Sequence, residues 1–248
     1  MPLLNTDDMF TQPTGHFGFS AVRIEKLGAT EYTLVDVAVD RSGSTDPFKT
    51  DLEKLLQTVV KGCMRCPRAD NLLLRVVEFD TKANEIHGYM ELKDVPLDKY
   101  VGALKRDGGR TSLNDTCVNS FQAQLAYADQ LGKNDFSANG IFIGITDGCD
   151  NASTLPASRV KEVLAEARQK EKLESLVSIL IGVNMANPTI AATLADFARD
   201  AGFDQFIDIG EVTESRLAKL AAFISKSVSS QSQALGSGGP SQPVQLVF

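Results

Sequence analysis

Three short segments of the chain carry oxygen-bearing side chains at spacings suited to one shared cation. The first is Asp40-Arg-Ser-Gly-Ser44, in which Asp40, Ser42 and Ser44 alternate. In an extended loop alternating side chains face one point, and Gly43 allows a close approach. The second is Asp107-Gly-Gly-Arg-Thr111-Ser-Leu113, and the third is Thr146-Asp147-Gly148. Carboxylates and hydroxyls are hard ligands, so Asp40, Ser42, Ser44, Thr111 and Asp147 suit Mg²⁺ or Mn²⁺ without imidazole or thiolate. Mg²⁺ demands near-octahedral coordination and keeps waters where the protein supplies few oxygens. Two carboxylates and three hydroxyls cannot all bind directly and still leave a position open, so some must act through water. Turn formation and helix capping are the competing account, because Ser, Thr and Asp favour loops for backbone reasons alone. That account does not explain the joint pattern.

The elements around these segments follow from hydrophobic periodicity. Thr33 to Asp40 is almost continuously apolar, as in a strand covered on both faces. Its exception, Asp36, is expected near the strand's start, within reach of water or a backbone amide. Phe17 to Ile24 forms a preceding strand, joined through a polar turn at Gly28 in an N-terminal hairpin. Asp46-Pro47 reads as a cap and first turn, followed by Phe48, Leu52, Leu55, Leu56, Val59 and Val60 on one helical face. Leu72 to Phe79 is a strand. Ile86, Gly88, Met90 and Leu92 alternate with His87, Tyr89, Glu91 and Lys93, which predicts an antiparallel edge strand with the latter four on a wet face.

Helix and strand then alternate: a helix over 113–131, a strand at 141–146, a helix over 158–171, and a strand at 176–182. Asn187-Pro188 opens a further helix closed by Gly202, and a strand at 206–209 precedes a last helix over 213–228. The alternation predicts an α/β domain with a doubly wound, mostly parallel sheet, one antiparallel edge strand and helices on both faces. Ligands of such sheets bind outside the carboxyl ends of the strands where strand order reverses. The oxygen-bearing loops belong to that end. Residues 1–16 are expected to be a loose arm, 17–229 the domain, and 230–248 a flexible Ser/Gly/Pro linker ending in the apolar Val244-Gln-Leu-Val-Phe248.

Asp40-x-Ser42-x-Ser44, then Thr111 in Gly-Gly-x-Thr-x-Leu, then Asp147 in Thr-Asp-Gly, together resemble the metal-ion-dependent adhesion site of von Willebrand factor A domains. The resemblance covers roughly residues 30 to 228. It implies that Ser42 and Ser44 ligate the metal directly, Thr111 directly or through water, and Asp40 and Asp147 mainly through waters. It also implies that a partner protein completes the coordination with a Glu or Asp. Arg41 departs from the pattern, and as a cation beside the site it is expected to help pair an acidic ligand. Asp150 is expected to shape the rim. The AxDRSGS strand is similar to that of bacterial stress-response members such as the tellurite-resistance group.

A formal net charge of −7 and the lack of a basic stripe argue against nucleic acid as partner. The N-terminus shows no secretory leader and no segment is apolar for long enough to span a bilayer, so no membrane partner and a cytoplasmic setting are expected. Four cysteines are too few for a disulfide scaffold. Cys63-Met-Arg-Cys66 lacks a second such pair to complete a zinc site, and its thiols, with Cys117 and Cys149, read as structural or incidental. His16 and His87 have no partner that would make them catalytic. No nucleophile elbow, phosphate loop or dinucleotide fingerprint occurs, so the chain is expected not to be an enzyme. The leading expectation is a metal-dependent protein-interaction scaffold or adaptor of a bacterial or phage-type cell. A regulatory subunit of an AAA+ ATPase or chelatase-type machine, and a structural subunit docked by the C-terminal tail, are the alternatives.

Overall fold

The computed structural model describes residues 8–14, 17–104, 108–169, 172–185 and 187–238. His16, Asp107 and the Val244–Phe248 terminus lie outside them. The strands are β1 (Met9–Thr14), β2 (Phe17–Val22), β3 (Glu31–Asp40), β4 (Leu72–Phe79), β5 (Ala83–Glu91), β6 (Ser137–Thr146), β7 (Leu176–Gly182) and β8 (Gln205–Asp208). The α-helices are α1 (Lys49–Cys63), α2 (Leu113–Gly132), α3 (Ala157–Gln169), α4 (Pro188–Ala201) and α5 (Glu214–Ser237).

Central strands that are apolar at both parities have two faces to cover. Leu34 and Ala38 of β3, Phe142 of β6 and Leu180 of β7 pack with α2, α3 and α4. Val35, Val37, Val39, Ile141, Ile143 and Ile179, at the opposite parity, pack with α1 and α5. The result is one eight-stranded sheet in the order β1-β2-β5-β4-β3-β6-β7-β8. It is parallel from β4 through β3, β6 and β7 to β8, with β5 antiparallel to β4 and β1 antiparallel to β2. The α/β, doubly wound architecture is the expected one. Because α1 leaves β3 for one face and α3 leaves β6 for the other, strand order reverses between β3 and β6. A crevice at their carboxyl ends follows.

Several local expectations are corrected. Part of the expected N-terminal arm is a strand, since Met9–Thr14 pairs residue by residue with β2. β2 pairs with β5 and not β3, so the expected hairpin does not form. β5 is antiparallel but not the edge; β1 is, and Pro13, which has no N–H for a ladder, fits an edge strand. Nor does β5 have the expected wet face, because His87, Tyr89 and Glu91 are all buried. Register shifts between β4 and β5 break the two-residue period there. Asp46 and Pro47 sit within a 3₁₀ turn, Gly43–Phe48, ahead of α1. Residues 230–237 continue α5 instead of forming a linker. Gln231 Nε2 donates to Gly140 O at 3.1 Å and Ser175 Oγ at 2.9 Å, and Asn139 Nδ2 donates to Gln231 O at 2.7 Å. α4 is bounded as expected: Asn187 Oδ1 accepts from Thr189 N at 2.9 Å, and Gly202 closes the helix at φ 85°.

Candidate metal site

β3 and β6 are parallel neighbours in register, and their last residues, Asp40 and Thr146, stand side by side. Thr146 Oγ1 donates to Asp40 Oδ2 at 2.6 Å, while Ser42 N–H donates to Asp40 Oδ1 at 2.7 Å. The second bond curls the chain after β3 into the short turn that the Asp-x-Ser spacing favours. Ser42 Oγ lies 3.1 Å from Ser44 Oγ, and Ser44 Oγ donates to Asp147 Oδ1 at 2.7 Å. Four of the five expected residues, with Thr146, therefore form one hydrogen-bonded chain across two loops.

Thr111 enters from the third loop. Its N–H donates to Asn151 Oδ1 at 2.8 Å, and its carbonyl accepts from Asn151 N and Ala152 N at 2.9 and 3.0 Å. Thr111 Oγ1 is 4.0 Å from the point where a Cβ on Gly148 would begin. The loop bearing Thr111 lies directly on the first loop, with Gly43 N–H donating to Gly109 O at 3.2 Å. A Cβ on Gly108 would stand 2.3 Å from Arg41 O and 2.6 Å from the Ser42 carbonyl carbon, so only glycine permits this contact.

The electrostatics of the cluster are one-sided. Asp40 is fully buried and Asp147 nearly so. Burial pushes Asp40 up to about 6, against the hydrogen bonds from Thr146 and Ser42, and Asp147 adds to the rise. Burial likewise raises Asp147, opposed by the Ser44 hydrogen bond. Among the described residues neither carboxylate has a cationic side chain as partner. Arg41 does not serve: it is buried and turned away, with Nη2 2.7 Å from Asp80 Oδ2 and Nε 3.3 Å from Glu78 Oε2. That corrects the expectation that it faces an acidic ligand. Asp150 also has another task. It accepts from Asn114 N at 3.2 Å and from Ser153 Oγ, tying the first turn of α2 to the loop after β6.

The donor chemistry fits a hard divalent cation: oxygen only, with two buried carboxylates that no side-chain cation among the described residues neutralises. Among the described residues no three His, Cys, Asp or Glu side chains gather as a metal site, which leaves a nitrogen- or sulfur-based centre without ligands. A cavity of about 650 Å³ between α2, α3 and α4 includes Asp150 but none of the five oxygen-bearing residues. Sequence reasoning assigns no role to Thr146 or Asn151. Thr146 was visible within Thr-Asp-Gly, whereas Asn151 is found only through its contact with a distant loop.

No protein-family profile matches the sequence, and no curated protein matches it. Solved structures do share the fold. The pilus adhesin SpaC from Lactobacillus rhamnosus GG superposes with a TM-score of 0.60 at 8% identity, over 90% of this chain and 32% of that one. The PilB minor pilin from Streptococcus sanguinis gives 0.56 at 16% identity, over 90% and 67%. Proximal thread matrix protein 1 from the mussel byssus gives 0.53 at 17% identity, over 80% and 48%. The chain thus spans about a third of SpaC and about half of the byssus protein. It has a von Willebrand factor A-like α/β fold. Among the described residues no helix is long and apolar enough to cross a membrane.

Proposed function

We propose that the chain is a non-catalytic, divalent-cation-dependent protein-interaction domain. The supporting observation is the linked set Asp40, Ser42, Ser44 and Asp147, whose two buried carboxylates have no side-chain cation against them among the described residues. Mg²⁺, or Mn²⁺, is the cation this oxygen set suits, with Thr111 as the fifth contributor. When bound it supplies a positive point that attracts a partner's Glu or Asp carboxylate. The residues of the chain do the rest. Ser42, Ser44 and Thr111 present uncharged oxygens and so leave positive charge unquenched. Asp40 fixes the turn that aims Ser42, and Asp147 aligns the Ser44 hydroxyl.

The direct test is thermal unfolding with Mg²⁺ and with chelator, followed by partner capture under both conditions with wild type and Asp40→Ala. A Mg²⁺ concentration ten times Kd stabilises by about 1.4 kcal/mol, which raises Tm by about 3–6 °C in a domain of this size. Partners should be lost with chelator and lost with Asp40→Ala. An unchanged Tm across Mg²⁺ and Mn²⁺ titrations would reject the reading. A second reading, a subunit of a larger assembly, draws support from the fold shared with pilus and byssus proteins. It predicts a concentration-dependent mass in solution that chelator leaves unchanged, whereas the interaction-domain reading predicts a monomer.

A further inference from the structure

Away from the candidate metal site, the end of α1 brings two thiols together. Cys63 is the last residue of α1 and is buried, while Cys66 is partly exposed; neither is in a disulfide. Cys66 N–H donates to Cys63 O at 2.9 Å, closing the four-residue turn Cys63-Met-Arg-Cys66. Such a turn holds its first and last Cα atoms within about 7 Å, and a disulfide spans most of that range. Both sulfurs also face α5. Cys66 Sγ is 3.0 Å from Ser229 Oγ, and Cys63 is in hydrogen-bonding contact with Ser225. Ser225 and Ser229 lie one helical turn apart on the same face, so the two thiols lie along one line of the helix.

We propose that Cys63 and Cys66 form an oxidant-responsive dithiol pair, in which a peroxide oxidises Cys66 and Cys63 resolves the product to a disulfide. The two cysteines are suited to different halves of that reaction. Cys66 is partly exposed, and its sulfur accepts from Arg68 N–H at 3.5 Å. Access to the oxidant decides which of the two sulfurs reacts first. Cys63 is shielded, and burial pushes its thiol up to about 12, so it persists as a thiol until a sulfenic acid forms beside it.

In the first step the Cys66 sulfur attacks a peroxide oxygen. An S–O bond forms, the O–O bond breaks, and the second oxygen leaves as water or alcohol after taking the thiol proton. In the second step the Cys63 sulfur displaces hydroxide from Cys66–SOH, and the Cys63 proton leaves with that hydroxide as water. The sulfurs together lose two electrons, and the peroxide gains them. The other two cysteines serve as internal controls. Cys117 is fully buried in α2, and burial together with Asp150 raises the Cys149 thiol, which disfavours its thiolate.

The test treats the native full chain with a few equivalents of hydrogen peroxide, alkylates the remaining thiols and maps peptides by mass spectrometry. The expected main product is a Cys63–Cys66 linked peptide, with two of the four thiols lost and both recovered by dithiothreitol. A dimedone-type probe should label Cys66 in Cys63→Ala and leave it unlabelled in wild type. The proposal is overturned if Cys149 is labelled first, or if Cys66 proceeds to sulfinic acid while Cys63 stays alkylable. The wild-type peptide map decides the matter even if Cys63→Ala does not fold.

Discussion

Asp36 and Asp40 lie on the same face of β3, both buried, yet one meets an arginine and the other meets hydroxyls. Asp36 Oδ2 accepts from Arg75 Nη1 at 2.8 Å and from the Tyr89 hydroxyl at 3.1 Å, and Asp36 Oδ1 accepts from Ser120 Oγ at 3.2 Å. Arg75 also donates to Glu85 Oε1 at 2.6 Å and Asn119 Oδ1 at 2.7 Å. Burial opposes the charge on Arg75, but Asp36 and Glu85 more than offset it and hold the guanidinium protonated. The Asp36 cluster therefore carries its own cation and is closed. The Asp40 cluster pairs its carboxylate with Thr146 and Ser42, and a second carboxylate joins through Ser44. Among the described residues no cation joins it. Two acidic residues of one strand thus differ in purpose according to what the neighbouring elements offer: a long arginine from β4 in the middle of the sheet, short hydroxyls at its carboxyl end.

The largest effect should come from breaking the closed cluster. Arg75→Met leaves the Asp36 carboxylate buried without its cation and should destabilise by about 3–5 kcal/mol in urea denaturation. It should leave any Mg²⁺-dependent Tm shift in place. A loss below about 1 kcal/mol would mean that Asp36 does not depend on its arginine. The neighbouring β5 handles a titratable group in a third way, by keeping it neutral. His87 is buried, with Nε2 2.6 Å from the Tyr100 hydroxyl and Nδ1 2.9 Å from Gly88 O, and burial lowers its pKa to about 4. The unfolded chain takes up that proton near 6.5 and the folded chain only near 4. Stability should accordingly fall as pH drops through that interval, by up to ~3 kcal/mol from this residue. The difference between wild type and His87→Gln across pH 7 to 4 isolates the contribution; parallel curves would show that His87 charges freely in the fold.

The open cluster should respond in the opposite sense. Asp40→Asn removes a carboxylate whose ionisation burial disfavours, so stability without metal should hold or rise slightly. The stabilisation of about 1.4 kcal/mol expected at Mg²⁺ tenfold above Kd should vanish. If Asp40→Asn instead lowers stability as much as Arg75→Met with Mg²⁺ absent, the two clusters are alike and Asp40 is a structural residue.

The contrast between the clusters was only half legible in the sequence. Asp40, Ser42, Ser44 and Asp147 stand in loops whose spacing alone suggests convergence, and the strands that carry them announce themselves by apolar runs. Asp36 was misplaced because its partner Arg75 lies on another strand within Leu-Leu-Leu-Arg-Val-Val, and nothing local marks the two as neighbours. Arg41 was misread for the same reason, since Asp80 and Glu78 reach it from β4 and the turn after it. The wet face assigned to β5 failed because Tyr127 of α2 stacks on Tyr89 and the Tyr100 hydroxyl meets His87, contacts that periodicity does not show. The end of α5 was hidden by composition: Ser and Gln read as linker, yet Gln231 and Ser232 are buried and Gln231 bonds backbone of β6. Tertiary contacts override local propensity at each of these points.

The smallest expected change in stability belongs to Ser44→Ala, and it separates site from scaffold most finely. Ser44 is exposed, unlike Asp40, and its hydroxyl lies between Ser42 Oγ and Asp147 Oδ1. Exposed substitutions usually stay within about 0.5 kcal/mol, so the variant should unfold nearly as wild type does without metal. Both carboxylates remain, so the net charge offered to a cation is unchanged and only one neutral ligand is lost. A tenfold weaker Mg²⁺ affinity, read at the concentration that stabilises wild type by about 1.4 kcal/mol, would leave about 0.4 kcal/mol. Retention of the full Mg²⁺ response would mean that the carboxylates alone attract the ion by charge, as any acidic pair does. Loss of the response with an unchanged baseline would tie it to the geometry of the three loops.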